Sequence, residues 1–448
     1  MKRRDFLTNS VLAGAGLPLG ITTTASLTSC TGNGEAKTKP VTPEEVGMFS
    51  FVDKAPDGKP LKAALIGNGD RGTGAAMQFL KAGSDLSLVA MADVFKDKQD
   101  YSRKTLKEKA GVEVPDKNCF IGFDAWRKVL DMSEIDVVLL CTPPHFFPEY
   151  LRAAVDAGKH IFVEKPGAID PVGARMLIAA SKAAKTKGLS IVAGMQRRHQ
   201  LTYWEAYLHV RNGMIGDITH ATARWDGGAS WFKKRQPEWS DMEYCLRNWY
   251  NINWLMGDIP LGYVIHNIDI VTWFLGQHPV KVAGYGGCAR RSTGDMYDIF
   301  SMEYEYADNK TMLATNRQIN GCTNDVGEKI YGTKGVAILS SWADSRIEDN
   351  SGNILWQTDS KNNPVKDPYD QEHIHLVESI RLNKPINQGE DLAYSSMIAV
   401  MGRESAYSGK TVTWDEIMTS DLRYGPGSYE MGPVPEYVEG RFPIPGSE

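Results

Sequence analysis

Leu61-Lys62-Ala63-Ala64-Leu65-Ile66-Gly67-Asn68-Gly69-Asp70-Arg71-Gly72 is the stretch whose reading decides the fold. An apolar run ends in Gly67-x-Gly69-x-x-Gly72, and a helical pattern follows. Glycines at this spacing let a strand turn sharply and let a phosphate approach bare backbone. They also let a helix start close to the sheet, with its free N–H groups aimed at a pyrophosphate. Asn68, Asp70 and Arg71 belong to the same turn. A second apolar run, Leu86 to Ala92, ends in Asp93, 21 residues past Gly72. A carboxylate there meets the ribose hydroxyls of a dinucleotide and repels a 2′-phosphate, which selects NAD over NADP.

Downstream, helical patterns over about 98–110, 124–131 and 149–157 alternate with apolar runs at Ile135–Cys141 and His160–Val163. A long helical pattern follows over about 170–187. Repeated strand, helix, strand predicts a doubly wound parallel sheet, a Rossmann domain over 60–188. The runs stop at Thr142-Pro143-Pro144-His145 and Glu164-Lys165-Pro166, the carboxyl edge where such sheets bind ligands. Thr142, Pro143, His145, Glu164 and Lys165 are therefore candidate cofactor contacts. A lysine at that edge would also polarise a substrate hydroxyl or ketone beside a nicotinamide. Beyond Leu189–Met195, which leads into Gln196-Arg197-Arg198-His199, strand patterns fall at 218–225, 280–284, 300–306, 312–318 and 336–339. They predict a second α/β domain with a mostly antiparallel sheet over 189–423. Residues 424–448 hold five prolines and five glycines and read as an extended arm across a partner subunit.

In this order and spacing, the glycine turn, Asp93, Thr142-Pro143-Pro144-His145 and Glu164-Lys165-Pro166 resemble the Gfo/Idh/MocA oxidoreductases, over about 60–420. The Glu-Lys-Pro tripeptide is the most specific element. The resemblance implies a substrate pocket on the open sheet of the second domain, a cis bond at Lys165–Pro166, and a homo-oligomer, dimer or tetramer. It also places a catalytic helix at Gly257 to Leu275. There His266 would be the general acid/base beside Lys165, and Asp269 would orient it or anchor the helix. Arg198 and Tyr263 would contact substrate with them, although a structural ion pair explains Arg198 equally well. Two positions depart from the family. Many members carry an acidic residue four before the histidine, where this chain has Gly262, and Tyr263 or Asp258 would have to replace its polar function. Many also place a second histidine where Phe147 stands.

Six of the eleven tryptophans lie between 225 and 275, interleaved with Tyr244, Tyr250 and Tyr263. Such a set suits either a sugar-binding surface or an ordinary core. With 42% hydrophobic and 23% charged residues and a formal net charge of −5, the chain has a globular balance and no basic footprint for nucleic acid. Neither CxxC nor HExxH occurs, so no metal site is predicted. At the start, Lys2-Arg3-Arg4 before a short apolar run resembles a twin-arginine export signal, over 1–29. Leu27-Thr28-Ser29-Cys30 resembles a lipobox, which makes Cys30 a lipidation site, and 30–59 reads as a polar tether. The expected location is the periplasm or cell envelope, with membrane contact only through the lipid. An exported enzyme would hold and recycle one NAD.

Three functions follow. The first is NAD-dependent hydride transfer from a ring carbon of a sugar or glycoside. The second is redox-neutral glycoside hydrolysis through transient oxidation, a branch that usually lacks the lysine of Glu-Lys-Pro. The third is a non-catalytic carbohydrate-binding lipoprotein on a dehydrogenase scaffold.

Overall fold

A computed structural model describes residues 40–362 and 366–447. The expected export signal and Cys30 lie outside the described residues. Six strands, β1 (Leu61–Ile66), β2 (Leu86–Asp93), β3 (Cys119–Ile121), β4 (Val137–Leu140), β5 (His160–Val163) and β6 (Ile191–Ala193), form one parallel sheet. Its order is β3-β2-β1-β4-β5-β6. The central strands are apolar on both faces because helices cover both, as a parallel sheet requires. The order reverses between β1 and β4, which opens a crevice at the strands' carboxyl ends. Gly67 sits at that point with φ +95°, and a Cβ there would stand 2.6 Å from the Cys141 backbone. At Gly72 a Cβ would stand 2.0 Å from the Gly67 carbonyl oxygen, so the helix Asp70–Lys81 can start this close only from glycine.

The second domain is a nine-stranded sheet: β7 (Ile218–Gly227), β8 (Lys281–Gly287), β9 (Ile299–Glu305), β10 (Thr311–Gln318), β11 (Asp325–Gly332), β12 (Gly335–Leu339), β13 (Arg346–Asp349), β14 (Ile354–Gln357) and β15 (Val412–Thr413). The order is β14-β13-β12-β11-β7-β10-β9-β8-β15, antiparallel except for β7 with β10. Alternate residues of these strands bury one face. Ala221, Ala223, Phe300, Met302, Met312 and Ala314 pack there against Ile268 and Val271 of the helix Ile265–Leu275 and Met397 and Met401 of the helix Gly389–Ser408. The sequence pattern missed β11 because its inward position is the charged Glu328, paired in the interior with Arg197.

Two terminal segments are bound to the body. Residues 48–56, in the stretch expected to be tether, are pinned to the helix Pro368–Arg381. The Ser50 carbonyl pairs with His375 Nε2 at 3.1 Å, the Val52 carbonyl accepts from Gln371 Nε2 at 2.8 Å, and Phe49 stacks on His199 and His375. At the other end, the arm beyond Tyr424 folds back on its own chain. Tyr429 covers His145, Val434 is buried, and Tyr297 donates to the Pro443 carbonyl at 2.6 Å. The prolines keep this segment extended, and its aromatic and aliphatic side chains supply the burial that fixes it. Deleting 424–448 therefore removes a buried apolar contact worth about 1.5–3 kcal/mol for Val434 alone. A thermal melt of the truncated protein is expected to show Tm lowered by at least about 2 °C; an unchanged Tm would show that the arm carries no stability.

Candidate active site

One cleft of about 760 Å³ runs from the glycine turn of the first domain to the sheet of the second. At its first-domain end it is lined by Gly67, Gly69, Asp70, Arg71, Gly72 and Asp93. Gly69 precedes the helix Asp70–Lys81, whose first N–H groups have no intrahelical acceptor. No atom lies within 4 Å of where a Gly69 Cβ would stand, so bare backbone faces open space. Asp93 accepts from the backbone N–H of Asn68 at 2.5 Å and of Phe95 at 2.8 Å. Each carboxylate oxygen has a second lone pair, which leaves acceptor capacity for ribose hydroxyls. Phe95, Phe123 and Trp126 add an apolar wall beyond it. These residues fit a dinucleotide: a pyrophosphate on the Gly69 turn, a ribose on Asp93 and a base in the apolar recess. Thr142 and Pro143, after β4, line the same cleft.

The chemistry-bearing groups meet at the domain junction. Lys165 follows β5 through a cis bond to Pro166, as the resemblance implied. Its Nζ donates to the Gly262 carbonyl oxygen at 2.6 Å, and the Tyr250 hydroxyl donates to the same oxygen at 3.1 Å. Gly262 lies in a wide π-type turn, Pro260–Val264, at the entry to the helix that carries His266. A π turn frees carbonyls from the i→i−4 ladder and is common at functional sites. His266 is 6% exposed, lines the cleft and stacks on Trp225 with ring centroids 5.6 Å apart. Its Nδ1 is buried without a partner among the described residues. Tyr263 lines the cleft too, with its hydroxyl 3.1 Å from Ser230 Oγ.

Burial dominates the electrostatics. It lowers Lys165 to about 8, against the pull of the adjacent Glu164 and with help from the Arg71 and Arg197 cations. It holds His266 well below the ordinary histidine range, again aided by Lys165 and Arg197. At neutral pH the pair is thus an ammonium beside a neutral imidazole. Both arginines are held by carboxylates. Arg71 pairs with Glu164 and lies 3.6 Å from Glu372. Arg197 pairs with Glu328, which also accepts from Tyr203 and Asn267.

Other predicted residues lie elsewhere. His145 turns away from the cleft, 2.6 Å from the Tyr429 hydroxyl and edge-on to Trp254. The Asn68 side chain is buried, and only its backbone serves Asp93. Arg198 makes a two-bond pair with Asp269 at 2.8 and 2.9 Å, and Ser395 donates to the same carboxylate. Asp269 thereby anchors the helix to its neighbours instead of orienting His266, and neither it nor Arg198 lines the cleft. Asp258 bonds Tyr407 and the Tyr297 backbone, away from Lys165. Phe147 is a core residue. Of the clustered tryptophans, Trp225, Trp231 and Trp249 line the cleft, whereas Trp254 and Trp273 pack internally. Tyr250 was visible in that aromatic cluster but not singled out. The Gly262 carbonyl has no side-chain signature, and Gln196 and Tyr369, which also line the cleft, carried no motif.

Comparison with known proteins agrees with this geometry. Two family models match: the oxidoreductase family, NAD-binding Rossmann fold, over residues 61–192, and the oxidoreductase family, C-terminal alpha/beta domain, over 209–413. Among curated relatives, inositol 2-dehydrogenase of Rhizobium meliloti is 25% identical over 272 residues, covering 60% of this chain and 72% of its own. Scyllo-inositol dehydrogenase from Lactobacillus casei, solved with bound NAD(H) and scyllo-inositol, shares the fold at TM-score 0.60 and 22% identity. That match covers 79% of this chain and 99% of its own. Aldose-aldose oxidoreductase from Caulobacter crescentus does so at TM-score 0.62 and 21% identity, over 79% and 100%. With both domain models matched in order across the residues that build the cleft, the chain belongs to the Gfo/Idh/MocA oxidoreductase family and carries its NAD-binding Rossmann domain.

Proposed function

We propose that the protein oxidises a hydroxyl on a ring carbon of a sugar or glycoside, with NAD held tightly and recycled within the site. The observation that carries this is the meeting of Lys165 and His266 at the junction end of the cleft whose other end is built for a dinucleotide. NAD, when bound, supplies the hydride acceptor. Lys165, as an ammonium anchored on Gly262, directs its remaining N–H groups at the substrate oxygen and stabilises negative charge as the hydroxyl loses its proton. His266, neutral and stacked on Trp225, takes that proton. Trp225, Tyr263 and Trp249 offer apolar faces to the ring. The Gly262 carbonyl stands in for the acidic side chain that many family members place there, because it anchors the lysine without adding a charge.

Arg3-Arg4, the short apolar run after them and Leu27-Thr28-Ser29-Cys30 support an exported, lipid-anchored protein. Export supports tight retention of the cofactor, since free NAD is scarce outside the cytoplasm. The exposed Tyr285 and Ile299 on the nine-stranded sheet support a homo-oligomer.

Lys165→Met is expected to lower kcat/KM at least 100-fold when reduction of the bound nicotinamide by the substrate is followed. Full turnover in that variant would overturn the assignment. Burial puts Lys165 near 8, so its charge is complete below that value and lost as pH rises through it. The oxidation rate is therefore expected to fall on the alkaline side with an apparent pKa of about 8. His266 is already neutral, so it adds no acid limb down through pH 6.5. Lys165→Arg, which cannot lose its charge, should lack the alkaline limb in whatever activity it retains. Tyr250→Phe removes one donor from the Gly262 carbonyl and should lower kcat/KM about tenfold. Acid release from the purified protein is expected to yield close to one NAD per chain after extensive dialysis; none would overturn the retained-cofactor reading. Aglycone release from glycosides by Lys165→Met at the wild-type rate would favour the hydrolase instead.

A further inference from the structure

Two aromatic walls lead outward from the reacting end of the cleft. On one, His266 stacks on Trp225 at 5.6 Å, and Trp225 meets Trp342 edge-on at 5.6 Å. On the other, Tyr263 meets Tyr250 at 5.2 Å, and Tyr250 meets Trp231 at 6.2 Å. Both walls end in exposed tryptophan: Trp342 is 67% and Trp231 46% exposed. Isolated apolar residues on a surface need no explanation. These two differ in being continuous with the site and in being held. The turn of Trp342 is fixed by Ser340 Oγ, which accepts from the backbone N–H of Trp342 at 3.2 Å and of Ala343 at 3.1 Å. Around Trp231, Asn251 donates to its carbonyl at 2.8 Å, and Asn248 bonds both backbone groups of Lys233 at 2.8 and 3.0 Å. Each indole is thus carried to water on a fixed backbone, Trp342 one aromatic ring beyond Trp225 and Trp231 two beyond Tyr263.

We infer that the substrate is a glycoside of at least two sugar rings, its terminal ring oxidised beside Lys165 and His266 and its second ring stacked on Trp342 and Trp231. This rests on the oxidoreductase reading above and adds the substrate class. A flat indole turns about only two side-chain bonds, so it binds the apolar face of a pyranose at a smaller entropy cost than a long flexible side chain would. A free monosaccharide or cyclitol held beside Lys165 and His266 would not reach Trp342, which lies beyond the residues that line the cleft.

The test compares one-ring probes (glucose, methyl β-glucoside, myo-inositol) with two-ring probes (cellobiose, lactose, maltose) on the cofactor-loaded full chain. Reduction of the nicotinamide is followed together with quenching of tryptophan fluorescence on binding. At least one two-ring probe is expected to show kcat/KM about tenfold or more above its one-ring counterpart. Trp342→Ala should lower that ratio about tenfold, mainly through KM, and Trp342→Phe should restore most of it. A ratio near one for every two-ring probe, or a ratio unmoved by Trp342→Ala, overturns the two-ring assignment while turnover of one-ring sugars leaves the oxidoreductase reading standing. No nicotinamide reduction by any probe overturns both.

Discussion

One backbone oxygen ties this structure together. The carbonyl of Gly262, in the second domain, accepts the ammonium of Lys165, which projects from the carboxyl end of β5 in the first. That bond crosses the domain junction at the place where the cleft changes from dinucleotide-binding to aromatic. It is available because the chain makes a wide π turn there, which leaves a carbonyl outside the helical ladder. An acidic side chain at the same position would anchor the lysine too, but with a full charge that raises its pKa. A carbonyl anchors it as a dipole. Burial outweighs the opposing pull of the Glu164 carboxylate, itself paired with Arg71, and the Arg71 and Arg197 cations add to it, so the lysine titrates low.

This arrangement costs stability and is supported from below. Arg71 and Arg197 are both cations beside the reacting groups, and neither could be buried alone. Glu164 holds the first, with the Glu372 carboxyl 3.6 Å away and pushed well above the usual carboxylate range by its burial, and Glu328 holds the second from β11. Removing Glu164 or Glu328 would leave an uncompensated positive charge near Lys165, so the two pairs act as positioning residues for it. Arg198 and Asp269 form a third pair, further from the cleft, which locks the His266 helix to the helix Gly389–Ser408 through Ser395. The imidazole is therefore placed by a rigid helix and by stacking on Trp225, with no carboxylate on its Nδ1 among the described residues.

Much of this was legible in the sequence where local pattern and chemistry coincide. Gly67 and Gly72 announce a turn that only glycine permits, Gly69 leaves bare backbone facing the cleft, Asp93 ends the next strand, and Glu164-Lys165-Pro166 closes the run that becomes β5. His266 followed from resemblance and lies in the cleft. The failures have a common cause: they depend on contacts distant in sequence. His145 stands at the correct strand edge but is drawn to Tyr429, 284 residues away. Arg198 could have faced substrate or a carboxylate, and only the fold brings Asp269 to it. The arm after Tyr424 has the composition of a loose segment, yet its few apolar side chains find a surface on the same chain. Lys165's partner was invisible for a plainer reason, since every residue has a carbonyl and only the local helical geometry decides which one is free.

The central claim is that Lys165 is a buried ammonium anchored on a carbonyl and titrating close to neutrality. Its most direct test is a site-resolved NMR titration of the Lys165 Nζ in protein labelled at lysine, assigned by loss of the signal in Lys165→Met. The structure predicts a midpoint at about 8. A midpoint at the ordinary lysine value of about 10.4 would contradict it.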